Sequence, residues 1–221
     1  MGYSFIFDMD GVVIDSNPFH KIAWERFLER KGISYEHDVF EKLISGRNGV
    51  YPMKVLFGQD ISREVITAYV NEIEREFREI FRQSDVAEPT PGLERFLKAI
   101  RVSGYKTALA TSAPAANVDL ILEKTNLRPF FQVILDQNDV THGKPDPEIY
   151  LKTLKRLEAK REECIVFEDS RVGISSALAA GIKVVGISTG HNRRELHEAG
   201  VSKVIEDFID LDPEDVLTLI R

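Results

Sequence analysis

The stretch Phe5-Ile6-Phe7-Asp8-Met9-Asp10-Gly11-Val12-Val13-Ile14-Asp15 opens apolar without alternation and then breaks on two aspartates and a glycine. A short run that is apolar throughout is expected of a strand covered on both faces of a parallel sheet. Further runs of this kind follow at Tyr105 to Ala110, Phe131 to Leu135, Cys164 to Phe167, Ile182 to Ile187 and, more weakly, Lys203 to Ile205; the first strand itself is predicted over Tyr3 to Phe7. Helical patterns lie between them at Leu93 to Val102, Asn117 to Lys124, Pro147 to Leu157, Val172 to Ala180 and Asp215 to Ile220. Strand alternating with helix predicts an α/β fold with a Rossmann-like, doubly wound parallel sheet.

From Ser16 to Ala87 that alternation stops, and the signal is helical. In Ile61 to Phe81 the residues Ile61, Val65, Ile66, Tyr69, Val70, Ile73, Phe77, Ile80 and Phe81 form one apolar stripe. Glu72, Glu74, Arg75, Glu76, Arg78, Glu79 and Arg82 lie opposite and read as a solvated face. Proline marks both ends, at Asn17-Pro18 and at Pro89-Thr90-Pro91-Gly92. The expected organisation is an α/β core of residues 1–15 and 88–221 carrying an inserted α-helical cap of residues 16–87, on two adjacent linkers that could act as a hinge.

Of the 221 residues 43% are apolar, enough for a sizeable core. Lys and Arg number 29 against 36 Asp and Glu, a net charge of -7, which argues against nucleic acid or an anionic membrane as partner. The single cysteine, Cys164, sits in an apolar run and reads as a buried thiol in a reducing compartment. No stretch approaches the ~20 apolar residues of a membrane helix. Met1-Gly2-Tyr3-Ser4-Phe5 lacks the flank of a signal peptide, so a cytoplasmic location is expected; the chain's size suits a monomer.

Ligands of an open parallel sheet bind beyond the carboxyl ends of its strands. Asp8 and Asp10 stand at one such end and Glu168-Asp169 at another. Asp and Gly after a strand are ordinary turn formers, but two acidic pairs at one sheet edge concentrate negative charge that a hard cation such as Mg²⁺ would offset. Thr111-Ser112 offers a hydroxyl and free amides suited to phosphate oxygens, although such a pair also serves as a helix cap. Lys144, between Gly143 and Pro145, could place an ammonium on the same anion.

Taken in order, these motifs resemble the haloacid dehalogenase-like hydrolase superfamily over essentially the whole chain. The helical insertion after the first motif is similar to the branch holding β-phosphoglucomutase and small-metabolite phosphatases. The resemblance implies Asp8 as nucleophile, Asp10 as general acid/base, and Thr111, Lys144 and the Ser112 amide on the phosphoryl oxygens. It also implies Mg²⁺ held by Asp8, the Asp10 backbone carbonyl and Asp169, with Glu168 direct or through water. The substrate implied is a small phosphorylated metabolite, with a sugar phosphate as one candidate. Asp15, His20 and Trp24 match the mutase-like entrance to the cap, where His20 could contact the acid/base; the other reading is that Trp24 packs under the cap and His20 is a buried polar group. In the cap loop Ser45-Gly46-Arg47-Asn48-Gly49, glycine stands where a mutase arginine is expected, and Glu72-Ile73-Glu74 replaces a mutase lysine. This tilts the reading to a phosphatase, with Arg47 and Asn48 reaching the substrate. Alternatives are a phosphosugar mutase and a catalytically silent phosphate-ligand-binding protein. Lys54 reads as a surface residue, and His37, His142, His191 and His197 receive no role.

Overall fold

Six short strands, β1 (Ser4–Phe7), β2 (Lys106–Ala110), β3 (Val133–Leu135), β4 (Cys164–Glu168), β5 (Lys183–Ile187) and β6 (Lys203–Ile205), join in one sheet ordered β3-β2-β1-β4-β5-β6. Every neighbouring pair is parallel. The structure is a computed structural model that describes residues 2–34, 49–85 and 88–220. The strand order reverses between β1 and β4, where Phe7 stands in register with Phe167. That reversal opens the crevice in which α/β sheets bind ligands.

The strands are apolar throughout because both sheet faces are covered. One face carries Phe5, Phe7 and Phe167 against Phe96 and Phe208; the other carries Ile6, Ala108 and Val166 against Tyr150, Ile174 and Ala177. Phe7 and Phe167 stack at 4.8 Å with 9° between ring planes, which locks the two site-bearing strands together. Each fully buried phenylalanine contributes roughly 1.5–3 kcal/mol of transfer free energy. The covering helices are α4 (Leu93–Val102), α5 (Ala115–Thr125), α6 (Glu148–Leu157), α7 (Arg171–Ala179), α8 (Arg193–Glu198) and α9 (Pro213–Leu217).

The inserted region between β1 and α4 supplies α1 (Asn17–Arg30), α2 (Val50–Phe57) and α3 (Arg63–Gln83), and no strand among its described residues. Phe27, Phe57 and Tyr69 pack mutually at 5.0–6.1 Å and join the three helices. The α3 stripe buries Ile66, Ile73, Phe77 and Phe81, whereas Val65, expected within it, is 38% exposed. The expected solvated face holds for Arg75, Glu79 and Arg82, which are exposed, and is corrected at Glu72, Glu74, Glu76 and Arg78, which are half-buried. Glu72 pairs with Arg30 and Lys31, and Glu76 with Arg26 and Arg30, so the acids bind α1. Glu74 and Arg78 instead meet Asn117 of α5.

The two connections between insertion and core touch. The Thr90 amide donates to the Val13 carbonyl at 2.9 Å, and its buried hydroxyl to Val12 at 2.7 Å. No helix among the described residues is long and apolar enough to cross a membrane.

Candidate active site

β1 hands its last ladder bond to Asp8, whose N–H donates to the Phe167 carbonyl at 3.0 Å. The chain then turns tightly, Val13 N–H donating to Met9 at 2.8 Å and Gly11 N–H to Ile14 at 2.8 Å. Gly11 has φ +77°, and a Cβ there would fall inside the Asp169 carboxylate. Only glycine meets both demands.

Lys144 reaches this turn from the loop after β3. Its Nζ donates to Asp8 Oδ1 at 2.7 Å, to Glu168 Oε1 at 2.7 Å and to the Ala110 carbonyl at 3.1 Å, which uses all three of its protons. The lysine side chain is 2% exposed and Glu168 is fully buried. Burial opposes the ammonium, but Asp8 and Glu168 raise its pKa well above the ordinary lysine value. Burial also pushes the Asp8 carboxyl up to about 8; Lys144 opposes that rise, and the charges of Glu168 and Asp10 add to it.

Asp8, Glu168 and Asp169 present carboxylate oxygens within 4.8 Å of one another. They differ in how fully protein donors occupy them. Glu168 accepts from Lys144 and from Tyr150 Oη at 2.8 Å on one oxygen, and from the Asp169 amide, the Ser170 amide and Ser170 Oγ on the other. Asp169 takes one long bond, from Asn17 Nδ2 at 3.4 Å, and burial beside Glu168 and Asp8 raises its pKa well above the ordinary value. Buried like charges with open lone pairs suit a hard divalent cation, so the residues present fit such an ion, with Asp8 and Asp169 the less occupied donors.

The Asp10 carboxylate lies outside that cluster, and its expected metal contact is through the backbone carbonyl. Its side chain accepts from Ser16 Oγ and faces His20 Nε2 at 3.4 Å. Burial works against the Asp10 charge, but the hydrogen bonds and charge of His20 and Ser16 hold its pKa below the usual range. His20 is raised in turn by Asp10, against burial, and stacks on Phe77 at 3.8 Å. Trp24 is buried beside Phe27, while Asp15 is exposed.

Thr111 follows β2, buried, with Oγ1 accepting from the Ala113 amide at 3.1 Å. Thr111, Ser112 and Lys144 border a cavity of about 700 Å³ whose far wall comes from α2 and α3. Lys54 is exposed as expected, yet it lines this cavity. Arg47 and Asn48, with His37, lie outside the described residues. Asp8, Asp10, Thr111, Ser112, Lys144, Glu168, Asp169 and His20 thus come together from chain-distant segments. Ser16, Asn17 and Tyr150 join them unanticipated: the first two stand at the Pro18 linker and the third lies within the helix expected over Pro147 to Leu157.

The model of the haloacid dehalogenase-like hydrolases matches residues 5–187. The chain belongs to that family. This haloacid dehalogenase-like hydrolase is 31% identical over 220 residues to the phosphorylated carbohydrates phosphatase of Thermotoga maritima, covering 98% of this chain and 97% of that one. It is 28% identical over 195 residues to the β-phosphoglucomutase of Bacillus subtilis, covering 84% and 83%. Among solved structures, a family IA, variant 3 hydrolase of Entamoeba histolytica superposes with a TM-score of 0.90 at 30% identity, over 100% of this chain and 99% of that one.

Proposed function

We propose that the protein is a Mg²⁺-dependent phosphatase that hydrolyses a small phosphorylated metabolite, a sugar phosphate among the candidates, through a phosphoryl group carried on Asp8. The observation that carries this reading is Asp8 fixed by Lys144 at 2.7 Å, at the β1/β4 switch and within reach of Asp169. Residues 1–15 and 88–221 would form the catalytic unit and residues 16–87 its cap.

In this mechanism an Asp8 carboxylate oxygen attacks phosphorus in line, the ester P–O bond breaks, and Asp10 gives a proton to the leaving oxygen. Asp10 has to enter this step protonated, although His20 and Ser16 favour its charged form in the free protein. Asp10, again a carboxylate, then takes a proton from water as the water oxygen attacks the same phosphorus. The bond from phosphorus to Asp8 breaks, which returns the Asp8 carboxylate and releases inorganic phosphate. Acid/base help of this kind contributes about 10²–10⁴ in rate. Ser16 and His20 orient the Asp10 carboxylate. Thr111 Oγ1 and the Ser112 amide hold phosphoryl oxygens, and Lys144 Nζ joins them by exchanging one of its three present bonds, to Asp8, Glu168 and the Ala110 carbonyl, for a phosphoryl oxygen. Asp8, the Asp10 carbonyl and Asp169 would hold the ion; Glu168, already accepting five hydrogen bonds, anchors Lys144 and would support the ion directly or through water. When bound, the ion neutralises charge on the transferring phosphoryl group.

The similarity to a phosphatase over nearly the whole of both chains supports hydrolysis, and the similarity to a β-phosphoglucomutase supports phosphosugar isomerisation as the second reading. One assay separates them: phosphate release and sugar-phosphate isomer formation are followed over a panel of phosphate esters, with Mg²⁺ or EDTA and with a bisphosphate primer. Hydrolysis predicts Mg²⁺-dependent phosphate release that Asp8→Asn abolishes. Isomer formation without net phosphate release would give the mutase, and no turnover of any ester would return the chain to a binding role.

A further inference from the structure

The hydrogen bonds on Glu168 divide by origin. Three come from the two residues that follow it, the amides of Asp169 and Ser170 and the Ser170 hydroxyl, and all fall on Oε2. The other two meet on Oε1, from Lys144 Nζ at 2.7 Å and Tyr150 Oη at 2.8 Å. Lys144 lies in the loop before α6 and Tyr150 in the first turn of that helix, so one short segment delivers both donors.

Packing does not call for the Tyr150 hydroxyl. The side chain is fully buried in the apolar layer that holds Ile6, Ala108 and Val166. Phenylalanine would fill the same space with no polar atom to strip of water. The bond to Glu168 offsets that cost. The ring, in turn, lies 5.0 Å from Lys144 Nζ. One side chain thus touches both members of a buried ion pair, the cation by its ring and the anion by its hydroxyl.

In the proposed reaction Lys144 has to trade one bond for a phosphoryl oxygen. Asp8 is the partner it can release, because a carboxylate oxygen that has bonded to phosphorus no longer carries its share of the charge. Glu168, held on both oxygens, is the anchor that persists. We propose that Tyr150 is a positioning residue, whose hydroxyl fixes Glu168 Oε1 as the point about which Lys144 turns from Asp8 to the phosphoryl oxygen. This rests on the phosphatase reading for the phosphoryl oxygen, whereas the hold on Lys144 belongs to the free protein. A displacement of about 1 Å at a reacting site can cost about 10²-fold in rate. Lys144 keeps its other contacts without the hydroxyl, so the expected loss is smaller, on the order of tenfold.

Tyr150→Phe tests this, since it removes the hydroxyl and keeps the ring. Leu157→Val, at the far end of α6, loosens the same apolar layer and serves as the control. In protein carrying ¹⁵N-lysine, the Lys144 ammonium signal is assigned by its nuclear Overhauser contact to the ring at position 150, which wild type and Tyr150→Phe share. Its exchange with water should quicken by about fivefold or more in Tyr150→Phe, with a shift in the nitrogen resonance. In saturating Mg²⁺ the kcat for p-nitrophenyl phosphate should fall about tenfold with KM within about twofold, as for a contact used in the transition state. Leu157→Val should lower Tm while leaving the ammonium signal and kcat as in the wild type. Wild-type exchange in Tyr150→Phe, an unchanged kcat, or the same two changes in Leu157→Val would each overturn the proposal. Absence of turnover by the wild type would defeat the phosphatase reading instead, and the ammonium signal would then decide alone whether Tyr150 holds Lys144.

Discussion

Lys144 Nζ lies 2.7 Å from Asp8 Oδ1 although 136 residues separate them in the chain. The same ammonium lies 2.7 Å from Glu168, so one buried cation balances two buried carboxylates. Removing it leaves Glu168, and above about pH 8 Asp8 as well, uncompensated, a situation that costs about 3–5 kcal/mol. Lys144→Met should lose stability of that order in urea denaturation with EDTA present, and recover part of it when Mg²⁺ is added. A loss near zero would mean that the two carboxylates are not both charged in the folded protein.

Gly11 gives a sharper test of the proposed ion site. Alanine there must adopt φ +77° and displace the Asp169 carboxylate. Strain of that type costs about 1–3 kcal/mol. Gly11→Ala should keep its far-ultraviolet circular dichroism but lack the Mg²⁺-induced rise in Tm that the proposed ion site predicts for the wild type. An unchanged rise would separate Asp169 from metal binding.

The loop carrying Lys144 is held by Glu148, which accepts from the Thr141 and His142 amides and pairs with Lys152 at 2.6 Å. The Lys152 hydrogen bond, then those two amides, lower its pKa from 4.5 to about 2. A depressed folded-state pKa contributes stability that is complete above the unfolded value and is lost as pH falls through the folded one. The contribution should therefore be present above pH 4.5 and disappear between about pH 4.5 and 2. Glu148→Gln should flatten the pH dependence of urea stability across that window, and increase hydrogen exchange at Thr141 and His142 at neutral pH. Parallel wild-type and variant profiles would count against the tether.

How much of this was legible in the chain follows from which interactions are local. The strands were readable because a strand covered on both faces must be apolar throughout, as Cys164 to Phe167 is. The acids could be placed because they directly follow those runs. The helix Arg193–Glu198 was missed: it is six residues long, buries only Leu196, and is fixed by an Asn192–Glu195 capping box instead of an apolar stripe. Periodicity located the stripe of α3 but not the partners of its charges, since those come from α1 and α5. Tyr150 carries no local signal of its role, because its use lies in a hydroxyl pointed at Glu168, a residue 18 positions away.

Asn117 joins the insertion to the core, and its removal should be felt in α3. It is fully buried on α5, accepts from Arg78 Nη1 at 2.8 Å and donates to Glu74 Oε2 at 2.6 Å. Lys124, two turns further along α5, donates to the carbonyls of Phe81, Arg82 and Ser84 at 2.9–3.0 Å and so caps the end of α3. Hydrogen bonds to charged groups contribute about 1.5–3 kcal/mol, and the solvent reached by Glu74 and Arg78 places this pair at the lower end. Asn117→Leu preserves volume while removing both bonds. Amide exchange in α3 should therefore speed up several-fold while α7, on the opposite sheet face, keeps its protection. His20, which orients Asp10, stacks on Phe77 of the same helix, so a loosened α3 should also lower kcat/KM, mainly through kcat. Equal loss of protection in α3 and α7 would instead mark Asn117 as a determinant of global stability, with no particular hold on the inserted helices.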